Sequence, residues 1–94
     1  MKKVNVDIRP HIIHVQFGNE FATMTRNPNG NNQHMILFSS PITAIDADVI
    51  HNSGIAEVQE VSIDNRTIMF TRCSFYETHL MSELIVDILK RHEN

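Results

Sequence analysis

The stretch Ile55–His92, IAEVQEVSIDNRTIMFTRCSFYETHLMSELIVDILKRH, decides the fold because its periodicity changes once along its length. IAEVQEVSI and RTIMFTR read as two strands flanking Asp64 and Asn65, residues that tolerate the positive φ a tight hairpin demands. From Leu80 the period is helical. Leu80, Met81, Leu84, Ile85, Ile88 and Leu89 recur at i, i+1, i+4, i+5, i+8 and i+9, an apolar stripe of about three turns. Ser74 precedes Glu77 at the spacing in which each side chain takes up a free backbone amide of the other. A helix with so broad a stripe has to pack on a sheet, and the hairpin before it supplies one.

Working outward, Val4, Val6 and Ile8 share one face of an alternating run, Pro10 ends it, and HIIHVQF places Ile13, Val15 and Phe17 on one side. Gly18 to Glu20 makes a turn, FATMTR resumes the extended pattern, and NPNGNN reverses the chain into QHMILF, the returning arm of a hairpin. The polar link Asn27 to Asn32 is too long for a two-residue turn, which predicts a mobile loop. In SSPITAIDADVIHNSG, Ser40 suits a helix cap, Pro41 its first turn and Gly54 its far end, with Ile42, Ile45, Val49 and Ile50 on one face. The expected fold is one α+β domain over residues 1–94, a mainly antiparallel sheet in ββ-β-α-ββ-α order with two helices on one face. Met24, Met35, Met69 and Met81, with the five phenylalanines, are the expected core, with an exposed patch as the alternative place for some of them.

Composition narrows the function classes. Apolar residues at 41% and charged residues at 20% describe a compact globular chain rather than a disordered one. A net charge of −3 opposes attraction to phosphate, so nucleic-acid binding is a disfavoured alternative. One cysteine cannot close an internal disulfide, and no charged start followed by an apolar core marks a signal peptide; a cytoplasmic location is the expectation. LIVDIL, broken by Asp87, falls far short of the ~20 residues of a membrane helix, so no membrane partner is expected.

The chemistry-bearing residues are few. Cys73 stands just ahead of a helix start, where free amides and the neighbouring Arg72 lower a thiol pKa. Met69, Thr71 and Cys73 also alternate along one strand face, and the preferred reading of Cys73 is a small apolar filler. A nucleophile needs a base, and His79 lies six residues on. Six histidines invite a metal site, but His11 and His14 point to opposite strand faces, while His34, His51, His79 and His92 scatter over four elements. No metal site is expected. Asp46 and Asp48 diverge by about 200° around a helix and make no carboxylate pair. There is no glycine-rich phosphate loop and no serine, histidine and acid set in a recognisable context, so no enzymatic activity and no cofactor are expected.

The segment SSPITAIDADVIHNSGIAEVQEVSIDNRTIMFTR resembles the N-terminal domain of the Nfu/NifU-type iron-sulfur scaffold proteins. In that family an SP opens a helix, a GV segment leads into a strand, a tight turn follows, and a strand ending near VTK precedes a closing helix. Ser40-Pro41, Gly54-Ile55, Asp64-Asn65 and IMFTR stand at comparable places, and RPHIIHVQFG sits like the family's early proline-containing strand. The family's TPNPN run is missing, and its cluster-binding cysteine pair belongs to another domain. The resemblance implies the same order of elements and, as an alternative function, an iron-sulfur assembly accessory with Cys73 as ligand, a dimer supplying two of the usual four ligands.

The primary expectation is a non-enzymatic protein-binding module, an accessory or inhibitor of phage or mobile-element kind. It would dock on another protein or on a second copy, as a dimer, through its uncovered sheet face or through the hairpin residues Asn27, Asn29, Gly30, Asn31 and Asn32.

Overall fold

The computed structural model describes residues 3–26, 33–73 and 77–93. In chain order it holds β1 (Val4–Ile8), β2 (Ile12–Phe17), β3 (Glu20–Arg26), β4 (Gln33–Phe38), α1 (Ala44–Asn52), β5 (Glu57–Ser62), β6 (Thr67–Thr71) and α2 (Thr78–Glu93). All six strands join one sheet in the order β1-β2-β3-β4-β6-β5, and every pairing is antiparallel. The α+β class is as the periodicities predict, with the two arms of the Asn-rich hairpin forming β3 and β4.

Alternation sorts the sheet into two faces. The registers Val6↔Val15↔Ala22↔Phe38 and Ile13↔Met24↔Ile36↔Ile68 run across the strands on the helix side. Helix α2 lays Met81, Ile85, Ile88 and Leu89 on this layer, α1 adds Ala47 and Ile50, and the two helices also touch each other. Each fully buried Ile, Met or Phe here contributes roughly 1.5–3 kcal/mol of transfer free energy. No helix among the described residues is long and apolar enough to cross a membrane.

Several local expectations are corrected. Helix α1 starts at Thr43 rather than Ser40: the Thr43 N–H donates to Asp46 Oδ2 at 3.0 Å, closing the first turn. With Asp46, Ala47 and Ile50 taking the inward face, Ile45 is left 61% exposed. In α2 the inward face is Thr78, Met81, Ser82 and Ile85, and Leu80 is rotated out. The β5–β6 link is a four-residue turn in which the Arg66 N–H donates to the Ile63 carbonyl at 3.2 Å. Arg66 itself takes the positive φ, at 56°, in place of Asp64 or Asn65. Phe21 and Met35, expected in the core, stand on the face opposite the helices, as does the half-buried Met69. Ser74 of the proposed capping box, and Phe75, lie outside the described residues.

Candidate functional site

The face of the sheet turned away from the helices groups four large apolar residues that stay exposed. Its rows follow from the register. One runs Glu60, Met69, Met35, Thr25, Ile12, and the next Ser62, Thr67, Leu37, Thr23, His14, Asp7. Ile12, Phe21, Met35 and Leu37 are 38–48% exposed, and among the described residues neither helix lies over them. His14 is held in place on this face: its Nδ1 lies 3.0 Å from Thr23 Oγ1, and its ring tilts against Phe21 at 5.8 Å. Glu57 and Glu60 on β5 and Asp7 on β1 lie at the two margins, with Arg72 3.4 Å from Glu57 and Arg9 3.3 Å from Asp7, so an uncharged centre is flanked by edges that carry both signs of charge. That is the anatomy of a protein-binding surface, apolar in the middle and polar around it.

A second feature sits at the end of the sheet where α1 begins and α2 ends. Asp46, with its side chain only 4% exposed, accepts from His92 Nε2 at 2.8 Å through Oδ2 and from Arg91 Nη2 at 3.1 Å through Oδ1. His92 Nδ1 lies 2.9 Å from Ser40 Oγ. In the neutral tautomer that donates Nε2–H to Asp46, Nδ1 accepts the Ser40 hydroxyl proton. The result is a serine, histidine and aspartate chain that the sequence does not announce. It also joins a carboxylate in the first turn of α1 to the Arg91 guanidinium in the last turn of α2, which suits both helix dipoles. Grooves at β1–α2, α1–β5 and Gly54–Arg72 are lined by other residues, and the serine, histidine and aspartate chain ties the two helix ends together. The signal for it was partly present, since Thr43 and Asp46 have capping-box spacing; Ser40 and His92, 52 residues apart, carry no local signal.

Cys73 is 3% exposed and follows Arg72, which adopts a positive φ of 70°. Burial is the main reason its thiol rises from 9.0 to about 11; Arg26 pulls it down and Glu77 pushes it up. His79 is exposed and lies 3.6 Å from Glu83 on the outer surface of α2. The folded chain holds the Cys73 proton more tightly than the unfolded chain does. Its contribution to stability is therefore complete below pH 9.0 and is lost as the pH climbs through about 11, on the order of 2 kcal/mol. In a pH series of denaturant titrations, Cys73→Ala is expected to flatten that alkaline decline. Alkylation of the native thiol at neutral pH should be slow, and a native rate equal to that of the denatured chain would contradict the placement.

The remaining histidines do not converge. Burial, then Arg26, lowers the His34 pKa, and His34 packs at 5.5 Å from the Phe70 ring on the helix side. His11 and His51 are exposed. Among the described residues no group of three metal-ligating side chains gathers. The hairpin residues Asn27, Asn29, Gly30, Asn31 and Asn32 lie outside the described residues. Compared with protein-family models, characterised proteins and solved structures, the chain matches none.

Proposed function

We propose that this chain is a small non-enzymatic protein-binding domain, an accessory or inhibitor, that docks through its uncovered sheet face. The observation that carries the reading is the grouping of Ile12, Phe21, Met35 and Leu37, each more than a third exposed, on the side of the sheet that neither helix touches. A chain of this size that leaves large side chains on a flat antiparallel face gains by covering them with a partner.

The test uses substitutions that leave the fold alone. Leu37→Glu and Met35→Glu, at positions already solvated, are expected to keep the far-UV spectrum and thermal midpoint while weakening retention of a captured partner by tenfold or more, about 1.4 kcal/mol. Ile45→Glu, exposed on α1 on the other side of the molecule, is the control and is expected to retain the partner. A partner held equally by all three variants would remove the open face from the proposal.

A further inference from the structure

The two edges of the sheet are not alike. β5 is bulged between Val58 and Glu60, carries Glu57 and Glu60, and packs against α1, all of which blunt an edge against pairing. β1 also carries a charge, Asp7, and touches α2, but it has no bulge. It is regular through its whole pairing with β2 and, among the described residues, has no strand on its other side. Val4, Val6 and Ile8 point to the helix side yet remain 40–42% exposed. They form one wall of a groove of about 490 Å³ whose other wall is α2, with Val86 deep and Glu83 and Asp87 at the rim.

We propose that β1 pairs with β1 of a second copy of this chain, antiparallel, about a two-fold axis at Asn5. Charge selects both the partner and the register. A continuous sheet with all helices on one side requires the two residues of each opposed pair to point to the same face, which restricts the register to steps of two. Centred on Asn5, the pairing sets Lys3 opposite Asp7 of the second copy, twice by symmetry, and Val4 opposite Val6, also twice; Asp7, which lies 3.3 Å from Arg9 of its own chain in an exposed pair, would then be shared between the two cations. Centred on Val6, it would set Lys3 opposite Arg9, like charge against like. The strand is thus better matched to itself centred on Asn5 than centred on Val6. The seam extends the apolar wall of each groove with the valines of the other copy. An interface built on one short strand per copy is at the small end for specific association, so the dissociation constant is expected in the micromolar range. The seam uses none of Phe21, Met35 or Leu37 and does not depend on the open-face reading.

Sedimentation across the micromolar range tests it. Wild type is expected to show a monomer–dimer equilibrium, and Lys3→Asp or Asp7→Lys alone to weaken it by about tenfold or more, because each places like charges opposite one another twice. Mixing the two variants sets opposite charges at both positions and is expected to restore association to near the wild-type level. Restoration in the mixture cannot come from damaged folding. A wild type that stays monomeric, a dimer indifferent to both substitutions, or a mixture that fails to associate overturns the seam. Dissociation by Leu37→Glu alone would move self-association to the open face and overturn it as well.

Discussion

Asp46→Ala is expected to destabilise the domain by about 3 kcal/mol, with a fall in Tm on the order of 15 °C. The carboxylate takes three donors at once: the Thr43 amide at the start of α1, Arg91 Nη2 and His92 Nε2. Alanine removes the acceptor and leaves the His92 ring, whose side chain is 11% exposed, with a buried N–H and no carboxylate to receive it. Arg91, at 44% exposure, recovers water and contributes less. Ser40→Ala removes one hydrogen bond at the far end of the chain and should cost only about 1 kcal/mol. Asp48→Ala, two residues along the same helix but exposed, should lie within about 0.5 kcal/mol of wild type. Urea titrations with unchanged slope would report these differences. Equal small effects at Asp46 and Asp48 would show that the tether does not hold the helix ends.

The contrast between those two aspartates also marks what a sequence can reveal. Period-two alternation in β1 and β2 was legible because a strand's inward residues are set by parity alone, and Val4, Val6, Ile8, Ile13 and Val15 fall on the predicted side. Helix starts were less legible. SSPITAID offers both Ser40 and Thr43 as caps, and local chemistry does not choose between them. The choice comes from Ser40 meeting His92, a contact that exists only once α2 has folded across the sheet. Turn geometry failed for a related reason. Asp64 and Asn65 have the better intrinsic tolerance of positive φ, yet the strain falls on Arg66, whose guanidinium donates to the Ser39 carbonyl at 2.8 Å and whose own carbonyl accepts from Phe38. The open face was legible as a consequence of topology: two helices on one side of a sheet leave the other uncovered. Which large residues it would carry was not, because methionine and phenylalanine suit a core and an interface equally.

The stripe on α2 yields the sharpest test of that limit. On the helical pattern Leu80 and Ile85 are equivalent members of one apolar face, and truncating either should cost the same. The structure separates them: Ile85 is fully buried, whereas Leu80 is 45% exposed. In the first turn Met81 and Ser82 face inward, Ser82 satisfying its hydroxyl on the His79 carbonyl at 2.6 Å, and at about 100° per residue this leaves Leu80 toward solvent. Ile85→Ala removes buried methyl and methylene groups where α2 lies on the sheet and leaves a cavity, with an expected loss of about 3 kcal/mol. Leu80→Ala gives up a partly solvated side chain in a helix where alanine has the higher intrinsic propensity, and should cost under about 1 kcal/mol. The two variants measured side by side by denaturant titration decide the rotation of α2. Comparable losses would mean that the helix presents the broader face read from its periodicity, and Met81 and Ser82 would then have to share their inward place with Leu80.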